Sequence, residues 1–152
     1  MSVLLRRQAF RLAYLALRVW WFVGRPTVRG VQCILMDGDR VLLVRHTYGP
    51  GTWDLPGGTM KRGEKPRETA EREMAEELGL RLDGWRDLGL ISGRLGHKRD
   101  RLYCFIVEVS DPALTVDEGE LAEVRWFRRD ELPPDLGRYV PRILAIALEG
   151  GR

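Results

Sequence analysis

Cysteine and histidine are scarce in this 152-residue chain, with two of each. Cys33 and Cys104 both sit inside apolar runs, Val31-Gln32-Cys33-Ile34-Leu35 and Tyr103-Cys104-Phe105-Ile106-Val107. They read as small buried strand residues, which excludes a disulfide framework. His97 has no second histidine or cysteine at ligand spacing, so a zinc centre of the Cys/His type is excluded too. A reducing, cytoplasmic setting is the expectation. Internal repeats and low-complexity segments are also absent. So is an uninterrupted membrane-spanning run: Arg11 and Arg18 break the most apolar stretch, and no small-residue cleavage site follows it.

Acid is missing from the first 36 residues, which hold six arginines. The other 116 residues carry 19 basic and 22 acidic groups, so the net charge of +3 is an N-terminal property. A nucleic-acid footprint over the whole chain is therefore not expected. At 44% hydrophobic and 31% charged residues, the chain has the make-up of one ordinary globular domain. Its length buries a core without disulfides or structural metals.

Residues 3–23 form an arginine-punctuated apolar stretch. At 100° per residue, Arg7, Arg11, Arg18 and Arg25 fall within an arc of about 40°. Leu5, Ala9, Leu12, Ala16, Val19, Trp20 and Val23 gather on the far side. This predicts an amphipathic helix ended by Gly24 and Pro26. It would pack on its own domain or a homodimer mate, lie on an anionic membrane surface as a peripheral contact, or dock on a partner protein. Residues 1–26 are set apart as this extension and residues 27–152 as the domain.

Strand-like runs follow at Val28–Met36 and Arg40–His46, joined by Asp37-Gly38-Asp39, a hairpin signal. A turn-rich loop, Tyr48-Gly49-Pro50-Gly51-Thr52, leads to Trp53-Asp54-Leu55-Pro56-Gly57-Gly58. Pro66 suits the first position of a helix, Gly79 its end, and Ala70, Met74 and Leu78 its core-facing stripe. Further strands are expected at Leu82–Ser92, Leu102–Val109 and Val124–Phe127. A turn of helix is expected at Arg129–Leu132 and a final helix at Tyr139–Leu148. Hairpins with separated helices predict an α/β architecture, a mixed sheet sandwiched between helices.

Glu73, Glu76 and Glu77 stand at i, i+3 and i+4 of the helix that Pro66 opens. That spacing puts them on one face, roughly 5–6 Å apart. Like charges so close gain nothing for a structural helix; a divalent cation reverses the argument.

Residues 58–80 match the Nudix box, Gly-x5-Glu-x7-Arg-Glu-U-x-Glu-Glu-x-Gly-U with U aliphatic. Gly58, Glu64, Arg72, Glu73, Met74, Glu76, Glu77, Gly79 and Leu80 fill every specified position. A chance match in a chain of this composition is about one in a million. The chain thus resembles the Nudix hydrolases over residues 27–149. The resemblance implies a Nudix fold and a Mg²⁺-dependent pyrophosphohydrolase, with Mn²⁺ as a substitute. Its substrate would be a nucleoside diphosphate linked to another moiety X. Glu73, Glu76 and Glu77 are then metal and base carriers. The Gly57 carbonyl joins them as a ligand, because Gly57 and Gly58 allow close backbone approach. Glu120, six residues before Trp126, is the further ligand or base from outside the box, with Glu118 and Glu123 as rivals. Glu64, Arg72 and Gly58 are expected to support the loop–helix unit. Lys65 stands where relatives often carry a capping Ser or Thr, leaving only Glu68 of a capping box.

Arg45, Lys61, Arg62, His97, Lys98, Arg99 and Arg101 are the basic candidates for substrate contact, since guanidinium groups clamp phosphate oxygens. Tyr48 and Trp53 are candidates for base stacking, with core packing favoured for Trp53. Three other readings stay open: a nucleotide-binding module without turnover, removal of pyrophosphate from RNA 5′ ends, and isomerisation of isopentenyl diphosphate. The Leu95–Lys98 region has neither the proline nor the tyrosine that marks two known substrate groups of the family.

Overall fold

The computed structural model describes residues 2–150; the outermost residues of the two expected units, 1 and 151–152, lie outside them. Element order is α1 (Val3–Gly24), β1 (Thr27–Asp37), β2 (Arg40–His46), β3 (Gly57–Thr59), α2 (Pro66–Leu78), β4 (Arg86–Leu95), β5 (Lys98–Glu108), β6 (Leu121–Arg128) and α3 (Val140–Glu149). The expected α/β fold and the N-terminal helix are both present.

The sheet runs β4-β5-β1-β2-β6, with β3 added to β1. β1 and β5 are parallel, from Thr27↔Arg99 to Met36↔Glu108; the other pairs are antiparallel. Alternation along the strands splits the core into two layers. Val31, Cys33, Leu35, Leu42 and Val44 face the α2 residues Ala70, Met74 and Leu78. Ile34, Met36, Val41 and Leu43 face Ile143 and Leu144 of α3. Both cysteines are buried and free, and burial pushes the Cys104 thiol up to about 12.

Several boundaries differ from those expected. β3 has only three residues, too short for a periodic signal. β4 begins at Arg86 because Leu82 and Trp85 pack on the core from irregular chain. β5 begins at Lys98, so Lys98, Arg99 and Arg101 lie on a strand after a tight turn at Gly96-His97. Arg129–Leu132 is a hydrogen-bonded turn, Glu131 N to Arg128 O at 3.0 Å, and not a turn of helix.

α1 packs on its own domain through the side that carries its arginines. Arg6 pairs with Asp117 at 2.7 Å, Arg7 donates to the Glu118 carbonyl, and Arg11 donates to the Thr47 carbonyl. An acid-poor helix thus lands on the acidic 117–120 loop. Its apolar side points to solvent: Leu12, Val19 and Val23 are 67%, 66% and 77% exposed. Among the described residues no helix is long and apolar enough to cross a membrane.

Candidate active site

The site starts with how α2 is held. Pro66 opens the helix, and Glu68 accepts from the Lys65 N–H at 2.9 Å, the one surviving half of a capping box. Gly79 closes it in the left-handed region at φ 66°, where a side chain is disfavoured. Between these caps the buried stripe includes two carboxylates, Glu73 and Glu77, while Glu76 stays exposed.

One guanidinium organises the face. Arg72 Nε and Nη2 grip Glu64 at 2.7 and 3.0 Å, and Nη2 also reaches the Thr59 carbonyl. Nη1 donates to Glu73 Oε1 at 3.0 Å and Glu76 Oε2 at 3.1 Å. The Arg72 hydrogen bonds hold the Glu64 carboxyl down at about 2, helped by the Lys61 N–H and Thr69 hydroxyl. These contacts join Glu64 and Arg72, the two residues expected to support the loop–helix unit, to Glu73 and Glu76. Each of Glu73 and Glu76 keeps one oxygen free of Arg72.

The backbone closes against this face. Gly58 lies so near Glu73 that a Cβ would overlap its carboxylate. A Cβ on Gly57 would overlap the Val31 carbonyl. The Gly57 N–H instead donates to Glu77 Oε2 at 3.3 Å. Glu77 is 0% exposed, and its Oε1 has no hydrogen-bond partner. A buried carboxylate oxygen left unpaired is costly unless a cation completes it. Desolvation accordingly raises the Glu77 carboxyl, against the opposing pull of His46. Glu73 is also raised, by desolvation first, with Arg72 opposing and Glu120 and Glu76 adding to it.

Glu120 approaches from the loop before β6. That loop is tied to the end of α2 by Thr115 N to Leu78 O and Asp117 N to Glu77 O, both at 2.9 Å. Tyr48 donates to Glu120 at 3.2 Å. Of its two rivals, Glu123 is taken up by Arg45 and Arg125, and the Glu118 side chain is exposed. Hard oxygen donors plus an orphaned buried carboxylate oxygen fit a divalent cation.

The basic candidates are not all brought here. Arg45 lies on the α3 face, over the Trp53 ring at 4.5 Å and paired with Glu123 and Asp135. Trp53 is a core residue, 4% exposed. Lys61 and Arg62 are exposed in the loop ahead of α2. His97 packs edge-on to Phe22, and Lys98 sits over Trp21 while pairing with Asp100 at 2.8 Å. Arg99 and Arg101 are exposed on β5.

One residue that the fold brings to this face, His46, is not among the residues expected there. His46 is the next same-face residue after Leu42 and Val44, and its Nε2 lies 3.5 Å from Glu77 Oε1. Period-two alternation from the buried Val44 would have placed it beside the box helix. Arg45, the preceding residue, points to the opposite face of β2. Tyr48 also serves differently from a free stacking platform. Its ring is already flanked by Phe10 and Tyr14 of α1, at 5.8 and 5.7 Å.

The NUDIX domain family model matches residues 26–145. The chain belongs to the Nudix family. Every carboxylate of the Nudix box is in place. An uncharacterized Nudix hydrolase of Pseudomonas aeruginosa is 37% identical over 133 residues, covering 82% of this chain and 74% of the relative. The ADP-ribose pyrophosphatase of Mycobacterium tuberculosis is 49% identical over 106 residues, but these are 64% of this chain and 51% of the relative. This Nudix chain therefore spans about half the length of that enzyme. Among solved structures, a MutT Nudix hydrolase of Burkholderia pseudomallei superposes with a TM-score of 0.73 at 22% identity, covering 78% of this chain and 96% of that one. The Nudix domain of Shewanella oneidensis NrtR, solved with ADP ribose, gives 0.71 at 21% identity, covering 83% and 89%. These two likenesses establish the Nudix fold.

Proposed function

We propose that this chain hydrolyses the diphosphate linkage of a nucleoside diphosphate joined to a second moiety, using Mg²⁺ or, in its place, Mn²⁺. The observation that carries the reading is Glu77, fully buried with one oxygen unpaired, beside Glu73, Glu76, Glu120 and the Gly57 backbone. When bound, a divalent cation neutralises charge on the bridging phosphates and activates a water. Arg72 fixes Glu73 and Glu76 by one oxygen each and leaves the other for ligation or proton transfer. Glu73, raised by desolvation, suits a base role, with Glu76 beside it. Glu120, held by Tyr48, is the alternative base. Lys61 and Arg62 are exposed cations in the loop ahead of α2, and His97 and Arg99 add exposed groups at the β4–β5 turn, whereas Lys98 is taken up by Asp100.

The test is a hydrolysis panel with Mg²⁺ and Mn²⁺. It spans ADP-ribose, other nucleotide sugars, CDP-alcohols, NADH, dinucleoside polyphosphates, nucleoside triphosphates and triphosphorylated RNA. A nucleoside monophosphate plus a phosphorylated partner is the expected product pair. Turnover of RNA alone would move the assignment to RNA 5′ ends, which the acidic balance beyond residue 36 disfavours. Tight binding with no turnover would make it a regulatory module.

A second element of this reading concerns α1. Its outward stripe of Leu5, Leu12, Leu15, Val19 and Val23 is bordered by Arg18, one turn from Leu15 and Phe22. A second copy docking on this stripe would set arginine against arginine, because residues 1–36 offer no carboxylate. An anionic lipid surface meets both the apolar stripe and the charge, and is the occupant we assign. The full chain should co-sediment with phosphatidylglycerol vesicles and not with phosphatidylcholine vesicles, and Leu12→Glu with Val19→Glu should abolish binding. A dimer in solution that the same pair of substitutions dissolves would overturn the lipid assignment.

A further inference from the structure

The metal reading above rests on oxygen donors, yet the donor set on this face is not all oxygen. The β2–β6 ladder runs in register from Arg40↔Arg128 to Arg45↔Glu123 and then shifts, so that His46 pairs with Leu121. Such irregularities re-aim side chains at strand ends. Here the extra residue is Ala122 on β6, and His46 keeps the face of Val44, toward α2. His46, Glu77 and Glu120 each offer a ligand atom, and the three atoms lie within 4.8 Å of one another. The His46 Nε2 to Glu77 Oε1 distance of 3.5 Å is long for a hydrogen bond. It is close to the roughly 3 Å that separates neighbouring ligands when each stands about 2.1 Å from a shared ion. The independent sign is Glu77 Oε1 itself, which is buried and unpaired on the side where His46 stands.

We propose that His46 Nε2 is a metal ligand, completing with Glu77 and Glu120 a mixed nitrogen–oxygen site on the sheet side of the catalytic face. The inference rests on the metal-dependent hydrolase reading and deepens it. Glu73 and Glu76 then remain an all-oxygen group on the loop side. Imidazole favours Mn²⁺ and later first-row ions over Mg²⁺, which holds to oxygen. The nitrogen site is therefore the one at which Mn²⁺ outcompetes Mg²⁺. Tyr48 supports it from outside, with its ring 5.0 Å from the His46 ring and its hydroxyl on Glu120. Orienting partners of this kind tune metal affinity.

The chain has only one other histidine, His97. Untagged full-length protein carrying His97→Gln therefore holds a single imidazole and can be loaded with Mn²⁺ alone. Pulsed electron paramagnetic resonance should show nitrogen coupling to the bound Mn²⁺. That coupling should change to the ¹⁵N pattern when histidine is supplied as ¹⁵N-histidine, a readout that needs no change at His46. In calorimetric titrations, His46→Gln should weaken one class of Mn²⁺ site by about 10- to 100-fold while leaving Mg²⁺ affinity within about threefold. Mn²⁺ that binds without nitrogen coupling overturns the role of His46 and leaves the hydrolase reading standing. A chain that binds no Mn²⁺ overturns both.

Discussion

Arg72 and Glu64 meet fork to fork, Nε to Oε1 at 2.7 Å and Nη2 to Oε2 at 3.0 Å. The same guanidinium holds the two box carboxylates Glu73 and Glu76. Arg72→Lys keeps the charge but loses the planar fork. Turnover should fall about 10- to 100-fold, as for other groups that orient metal ligands. Steady-state kinetics should show the loss in kcat, with a folded circular dichroism spectrum.

The same pair has a pH signature. Glu64 is held at about 2, below its ordinary 4.5. A carboxylate lowered in this way contributes stability that is present above about pH 4.5 and lost as pH falls toward 2. Thermal melts of the natural chain and Glu64→Gln should therefore differ most at neutral pH. The gap should close between pH 4.5 and 2.

The metal-free protein should show the reverse slope at higher pH. Desolvation raises Glu73, Glu77 and Glu120, so the folded state binds protons more readily than the unfolded chain. Burial alone would lower His46, but the Glu77 carboxylate 3.5 Å away, with the charges of Asp54 and Glu120, outweighs it and raises it. Groups raised on folding favour the native state at lower pH and lose that contribution as pH rises through their folded values. In the presence of a chelator the melting temperature should climb as pH drops from 8 to 6. Saturating Mg²⁺ should flatten the climb.

Glu77→Gln should reduce turnover by at least about 10²-fold, since it removes a proposed ligand. It also removes the charge from a fully buried carboxylate that has one oxygen without a hydrogen-bond partner. In chelator its melting temperature should equal or exceed that of the natural chain. Near-normal activity would refute the assignment of Glu77.

Gly58→Ala tests the close approach of backbone to box helix. Its Cβ would overlap the Glu73 carboxylate and displace it. A shift of about 1 Å in a catalytic group is enough for about 10²-fold in rate. The variant should retain its fold and lose activity on that scale.

The parts legible in the sequence are those set by local rules. β2 spans Arg40–His46 as its apolar run after the Asp37-Gly38-Asp39 turn dictates, and α2 runs from the proline that opens it to the glycine that closes it. What stayed hidden depends on partners far along the chain. Gly57–Thr59 pairs with β1 through three residues and carries no period of its own. The arginine side of α1 turns inward because Asp117 and the carbonyl of Glu118 lie beneath it, more than a hundred positions away. Arg45 and His46 differ by one residue, and only the strand's parity, read from the buried Val44, separates the α3 face from the catalytic one.

The parallel pairing of β1 with β5 bears on the order in which a growing chain acquires its site. Thr27 waits for Arg99 before the centre of the sheet exists. As the chain leaves the ribosome, α2 emerges well before β5 with only the β1–β2 hairpin and β3 to rest on. A 13-residue helix without its packing surface is marginal in water. Glu120 follows later still, on the loop that ties down the helix end. The box is translated early, but its carboxylates converge only once β5 and β6 have been made. Nascent fragments that already contain every residue of the box should therefore be inert.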